Sequence, residues 1–171
     1  MAETLDNSAA DQEFVISRTF KAPRELVFQA WADAERFAQW WGPKGFTLGV
    51  ASADIRPGGE FLYSMTSAAG QEMWGKFVYH EIEAPDRLVF VNSFSNPKGE
   101  IVRAPFSDTW PLEVFNVVTF TEKDGETTVT LRGGPINASA AELAMFAGMF
   151  DSMRGGFGGT FDQLEAYLAS A

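Results

Sequence analysis

The chain has 171 residues, a net charge of −10 and a hydrophobic content of 46%. The hydrophobic content excludes a disordered chain, and the length fits one globular domain with a sizeable core. The acidic balance argues against a partner that is a nucleic acid or an anionic membrane surface, because both are bound through an excess of lysine and arginine.

Three further features bear on where the protein acts. The longest charge-free run, residues 61–71, is far too short to cross a membrane, so we expect no membrane insertion. Cysteine is absent, which excludes a disulfide framework and fits a reducing cytoplasm. Residues 1–12 are acidic and lack a signal-peptide pattern, so we expect a disordered N-terminal lead-in before a single domain over residues 13–171.

The first quarter of the chain predicts one strand followed by two helices. The strand is expected over residues 14–20. Residues 22–33 have an apolar helical face, and a proline stands near their start, as is common at a first helical position. Asp33 is suited to cap a second short helix over residues 34–42, because its side chain can accept from the first free amides.

From residue 46 the hydrophobic pattern changes to a period of two, which predicts strands. Six strands are expected in sequential meander order, over residues 46–54, 60–66, 71–83, 87–95, 112–122 and 126–134. The sequence KDG between the last two is a strong hairpin signal. Residues 96–111 show no regular pattern, and a loop of that length is either a lid or binding element or a structural cover for the sheet end.

The C-terminal segment predicts one continuous helix. Ser139 and Glu142 have the spacing of a capping box. Apolar residues then recur at intervals of three and four from Leu143 to Leu168, which marks a single helical face. This face is rich in methionine and phenylalanine, a composition that fits either an ordinary core or an adaptable ligand surface.

The stretch MRGGFGGTFDQL, residues 153–164, places four glycines inside this helix. Each glycine in a helix interior costs about 1 kcal/mol relative to alanine. They stand beside the apolar face and not on it, so we expect a kink over residues 155–159 and a role in close packing or in leaving free volume. They do not form a dinucleotide or phosphate fingerprint, since the third glycine is absent and no strand precedes them.

No catalytic or metal-binding constellation stands out. His80 is the only histidine and lies on a strand face with Glu72 and Lys76, which suggests exposure to solvent. With one histidine and no cysteine, a tetrahedral zinc site cannot be assembled, so no metal is expected. Asp54, Arg56 and Glu60 bracket a turn, where a salt-bridged turn is favoured over an acid–base pair.

The order of elements and four segments together resemble a known family. The segments are ISRTFKAPRELVFQAWADAERFAQWWGPKGF, DIRPGGEFLYSM, GKFVYHEIEAPDRLVF and GGFGGTFDQLEAYLA. They are similar to the activator-of-Hsp-90-ATPase-homologue branch of the START-related, pollen-allergen-type helix-grip superfamily (SRPBCC), over about residues 13–169. The resemblance implies an α+β helix-grip fold: a curved seven-stranded antiparallel sheet wrapped around a long C-terminal helix, with two short helices between strands 1 and 2.

The resemblance also implies a hydrophobic cavity between sheet and helix, and possible homodimers. The family shares no catalytic residues, and no cofactor is expected. Residues 96–111 are longer than the usual pattern, which can reshape the cavity mouth. We predict that the cavity is lined by Trp40, Tyr63, Met65, Trp74, Phe90, Met149, Met153 and Phe157. We place Phe106 and Trp110 at its mouth.

Three functions are compatible with this sequence. The first is binding of a small hydrophobic or aromatic molecule in the cavity. The second is a cyclase, dehydratase or hydrolase of a polyketide-like substrate, which needs an acid or base in the cavity, with Asp54, Glu60, Glu72 and Arg103 as candidates. The third is a co-chaperone-type interaction module, which would present an exposed apolar patch.

Overall fold

The computed structural model describes residues 13–170, and the lead-in predicted over residues 1–12 lies outside this range. It contains seven strands and four helices. The strands are β1 (Phe14–Phe20), β2 (Phe46–Ala53), β3 (Glu60–Ser67), β4 (Glu72–Glu83), β5 (Arg87–Ser95), β6 (Val114–Lys123) and β7 (Glu126–Pro135). The helices are α1 (Arg24–Ala32), α2 (Ala34–Phe37), α3 (Ala140–Gly148) and α4 (Phe150–Ser170).

The strands form one antiparallel sheet in the order β1-β7-β6-β5-β4-β3-β2. Strands β2 to β7 follow one another as a meander, and β1 pairs with β7 at one edge. The turn between β6 and β7 has positive φ at Asp124 (55°) and Gly125 (79°), as a two-residue hairpin turn requires. This architecture confirms the predicted helix-grip fold with its two short helices after the first strand.

The second short helix ends earlier than the predicted residue 42. Asp33 caps it as expected, since its carboxylate accepts from the amide of Arg36 at 3.1 Å. The helix itself stops at Phe37, and the following turns direct Trp40 into the core. There the indole Nε1 of Trp40 donates to the carbonyl of Ala30 at 3.0 Å.

The C-terminal segment is broken at a different place from the one predicted. The capping box of Ser139 and Glu142 begins α3, but that helix ends at Gly148. Met149 leaves the helical conformation (φ −103°, ψ 7°), and its amide donates to the carbonyl of Phe146. Helix α4 then runs as one helix through residues 155–159, so the interruption of the helical segment lies before the glycine stretch and not within it. The glycines lower helix propensity without ending the helix.

An aromatic core holds the short helices to the sheet. Trp40 packs edge to face on both Trp31 and Phe37, and the ring centroids of the three residues lie 4.9–5.9 Å apart. Phe77 continues this cluster on the sheet and stacks on Phe90 at 4.4 Å. These five side chains are at most 2% exposed, so this end of the sheet is filled.

Helix α4 is clamped to the segment that follows α2. Gln163 donates to the carbonyls of Trp40 (3.0 Å) and Gly42 (2.8 Å), and Thr160 also donates to Gly42 (2.9 Å). Gly159 leaves room for the stem of Lys44, whose carbon atoms lie 3.4–3.6 Å from the position of a Cβ. A Cβ at this position would make ordinary contact with Lys44, so the packing does not require glycine here.

Asp162 joins this clamp to the edge strand. Its carboxylate accepts from Arg18 of β1 at 2.7 Å and from Lys44 at 3.1 Å. The hydrogen bond from Arg18 and then that from Lys44 hold the pKa of Asp162 below its usual range. A carboxylate with a lowered pKa stabilises the fold at neutral pH, and this contribution is lost as pH falls through the lowered pKa.

We expect Asp162→Asn to lower the thermal midpoint by a few degrees at most at neutral pH, because the ion pairs are half-exposed. The difference from the original protein should shrink as the buffer is acidified below the ordinary aspartate range. Differential scanning calorimetry over a pH series measures both. Asp151→Asn, at an exposed position on the same helix, is the control, and equal effects of the two substitutions would contradict the clamp.

Candidate functional site

A cavity of about 370 Å³ lies between the sheet and the first half of α4. The helix presents one face to it, formed by Ser152, Met153, Gly156, Phe157 and Thr160. Further along the same helix, Phe161 and Leu164 are fully buried in the core. One helix therefore closes the core with its second half and borders an unfilled space with its first half.

The sheet is divided in the same way. On β5, Phe90 is buried in the core, and Asn92, two residues later on the same face, borders the cavity. On β6, Val118 belongs to the core and Asn116 to the cavity wall. Because neighbouring strands are antiparallel, the cavity residues come late in β3, β5 and β7 and early in β4 and β6.

The irregular segment before β6 covers one side of the cavity. Phe106, Trp110 and Pro111 border it, and Phe106 is 55% exposed, so it lies at the opening. Arg103 holds this cover in place by donating to the carbonyl of Trp110 at 3.1 Å and to the carboxylate of Glu142 on α3.

Glu142 connects the cover to the start of α3. Its carboxylate accepts from the amide of Ser139 at 2.8 Å as well as from Arg103. The hydrogen bond from Ser139, and then that from Arg103, lowers the pKa of Glu142. The charged form therefore ties the loop to the helix at neutral pH.

Few polar groups reach the cavity. Asn92 and Asn116 form an amide pair on its wall, in which Asn116 Nδ2 donates to Asn92 Oδ1 at 2.9 Å. On β3, burial raises the pKa of Tyr63 to about 12, and the indole of Trp41 beside its hydroxyl offsets part of this increase. The Tyr63 ring lies directly over Gly75, where a Cβ would come within 2.6 Å of its hydroxyl oxygen.

Seven of the ten predicted site residues border the cavity and three do not. Those at the cavity are Tyr63, Met65, Met149, Met153, Phe157, Phe106 and Trp110. Trp40 and Phe90 lie deeper in the aromatic core, at most 2% exposed. Trp74 points to the opposite face of β4 from Gly75, and its indole donates to Glu72 on that face.

Sequence reasoning missed the amide pair, Trp41 and Gly156. A signal for the amides was present, because Asn92 and Asn116 occupy positions where the alternation of β5 and β6 places inward-facing apolar residues. Gly156 could not be separated from the other glycines by spacing alone. A Cβ at Gly156 would meet nothing within 4 Å, and of the three glycines without neighbours in this stretch it alone borders the cavity.

The four acid–base candidates lie elsewhere in the structure. Asp54 pairs with Arg56 at the predicted turn, Glu60 faces Lys76, Glu72 accepts from Trp74, and Arg103 binds Glu142. Over residues 13–170, the cavity wall has no Asp, Glu, His, Lys or Arg side chain. Within that same range no group of three potential ligands could hold a metal ion.

A sheet that grips a long helix around a mainly apolar cavity defines a helix-grip protein. The chain matches the family model described as "Activator of Hsp90 ATPase homolog 1-like protein" over residues 21–169, and it belongs to this family. None of the curated proteins matches it. In the described range, no helix is both long and apolar enough to cross a membrane.

Solved structures show the same architecture. Protein Ms6760 from Mycobacterium smegmatis is 29% identical, with a TM-score of 0.75 over 94% of this chain and 92% of that one. A protein from Arthrobacter aurescens is 24% identical, with a TM-score of 0.79 over 95% and 89%. DynU16, a protein of the dynemicin biosynthetic locus, is 22% identical, with a TM-score of 0.63 over 92% of this chain and 47% of its own. The last two likenesses concern the fold alone.

The close contact between Gly75 and the Tyr63 ring predicts that a larger residue at position 75 destabilises the protein. We expect Gly75→Ala to lower the free energy of unfolding by about 1–3 kcal/mol, because the new methyl group must displace a buried ring. In Gly134→Ala, whose Cβ would meet nothing within 4 Å, stability should instead rise by about 0.5–1 kcal/mol. Urea denaturation of both variants measures the difference, and a neutral Gly75→Ala would contradict the packing described.

Proposed function

We propose that this protein binds a small hydrophobic molecule in the cavity between α4 and the sheet. The observation that carries the proposal is a space of about 370 Å³ beside a densely packed aromatic core. Protein interiors are normally packed like organic crystals, so a space of this size calls for an occupant. Its volume lies at the lower end of the range typical of small-molecule sites.

The chemistry of the wall supports the same proposal. Aromatic and methionine side chains form most of it, and methionine adapts its shape to different apolar ligands. The few polar residues are the Asn92–Asn116 pair, Tyr63, Ser93 and the two hydroxyl residues of α4, a pattern typical of sites that orient an apolar ligand.

The enzymatic alternative has less support. General acid–base catalysis needs a group that titrates near the working pH, and the Tyr63 hydroxyl, with a pKa raised to about 12, does not. DynU16, a protein of a biosynthetic locus, shares the fold, but this similarity identifies no catalytic residue in the present chain. The co-chaperone alternative rests on the family's name, and no exposed surface of the described chain points to a particular protein partner.

Gly156 offers a way to fill the cavity without disturbing the fold. We expect Gly156→Leu to weaken binding of the neutral dye Nile red by at least about tenfold, since the new side chain occupies the ligand's space. Gly155→Leu is the matched control, because a Cβ at Gly155 would also meet nothing within 4 Å and this residue does not border the cavity. Fluorescence titration measures both affinities.

Thermal midpoints should be equal to or higher than that of the original protein in both variants, because leucine is a far better helix former than glycine. Unchanged dye binding in Gly156→Leu would overturn the proposal. Native mass spectrometry of freshly purified protein complements the titration. A co-purified hydrophobic molecule would identify the ligand class, and the same spectrum reports whether two copies associate.

A further inference from the structure

The orientation of two amides on the cavity wall is fixed by their hydrogen bonds. Asn116 Nδ2 donates to the backbone carbonyl of Val114 at 3.0 Å, and a carbonyl can only accept. The nitrogen of Asn116 must therefore face Val114, while its oxygen lies against Gly133, where a Cβ would be 2.5 Å away. Asn116 is only 6% exposed, so this arrangement is locked by packing.

The second hydrogen of Asn116 Nδ2 fixes its neighbour. It is donated to Asn92 at 2.9 Å, so the atom of Asn92 that faces Asn116 is the oxygen. The NH₂ group of Asn92 consequently points away from Asn116. Asn92 borders the cavity and is only half-buried, and no acceptor within residues 13–170 takes a hydrogen bond from its Nδ2.

An unmatched donor on an apolar wall selects for an acceptor in the ligand. A pure hydrocarbon at this place would bury the NH₂ group of Asn92 without a partner, which costs more than the bond itself is worth. An oxygen atom of the ligand that accepts from Asn92 removes this penalty. Discrimination of this kind is stronger than discrimination by shape in an apolar pocket.

The charge of the wall restricts the ligand further. The described cavity wall has no cationic side chain, so a carboxylate would lose its hydration without gaining a counter-charge. An ammonium group would meet the same penalty, because no anionic side chain lies there either. We therefore expect the part of the ligand that enters the cavity to be neutral.

We propose that the natural ligand is a neutral aromatic ketone or quinone, whose carbonyl oxygen accepts from Asn92 Nδ2 while its ring system fills the apolar part of the cavity. This inference rests on the proposed binding function and names the class of ligand for the same site. Asn92 is the residue that determines specificity, and Asn116 is a positioning residue that acts through it.

Three probes with the same ring system test this proposal: fluorene, a hydrocarbon; fluorenone, its neutral ketone; and fluorene carboxylate, its anion at neutral pH. Isothermal titration calorimetry on the full chain should show fluorenone binding about threefold to tenfold more tightly than fluorene. Fluorene carboxylate should bind most weakly of the three.

The double variant Asn92→Leu/Asn116→Leu replaces both partners with apolar groups of similar size, which is close to neutral for folding. It should keep its affinity for fluorene and lose the preference for fluorenone, so the ratio of the two dissociation constants shifts by about threefold to tenfold, to near one. Gln29→Leu, which also replaces an amide but at an exposed position of α1 away from the cavity, is the control and should leave this ratio unchanged. If the double variant fails to fold, Asn92→Asp keeps the oxygen that accepts from Asn116 and removes the donor.

The outcomes separate the two proposals. If fluorene and fluorenone bind equally well and the ratio is the same in the double variant, the ketone class is wrong while hydrophobic binding stands. Tightest binding of fluorene carboxylate would overturn the neutrality of the ligand. If none of the three probes binds the original protein, the proposed function itself fails.

Discussion

The rest of the structure depends on how helix α4 docks on the sheet. Its second half buries Phe161 and Leu164 in the aromatic core, and Gln163 and Thr160 bond it to the carbonyls of the segment before β2. Burying side chains of this size stabilises the helix by about 2 kcal/mol each. The first half packs on the edge strand, where the rings of Phe150 and Phe157 each lie 5.6 Å from that of Phe14. The cavity lies between this half of the helix and the strands further into the sheet.

Glycines shape this cavity in two ways. At Gly75 the missing side chain gives the Tyr63 ring its place on the sheet, and at Gly133 it does the same for the amide of Asn116. At Gly156 nothing takes the place of the side chain, and the space belongs to the cavity. Glycine lowers helix propensity at position 156, but it leaves volume to the cavity there. At Gly155 and Gly158 no contact in the structure explains why glycine is present.

The fold was predictable because it follows from hydrophobic periodicity and helix-capping residues. Both signals depend only on residues that are close in the sequence. Strands β1 and β5 begin and end at the predicted residues, and Asp33 and Ser139 cap their helices as expected. The site was less predictable, because alternation tells which face a residue occupies but not how far along the strand the core ends. Phe90 lies on the inward face of β5, as expected, but in the part of the strand that belongs to the core and not to the cavity. Trp74 shares the face of Glu72 and Lys76, so the same alternation should have excluded it.

The placement of charge decides how such a cavity can recognise a ligand. The ion pairs that hold the structure together, such as Asp162 with Arg18 and Arg103 with Glu142, surround the cavity without entering it. Attraction between charges cannot then contribute to specificity, and the apolar surface cannot distinguish ligands of similar shape. Selection is left to the few neutral dipoles on the wall. Because the oxygen of Asn92 already accepts from Asn116, the remaining NH₂ group of Asn92 places a donor on the wall, and a ligand that contacts it is expected to supply an acceptor.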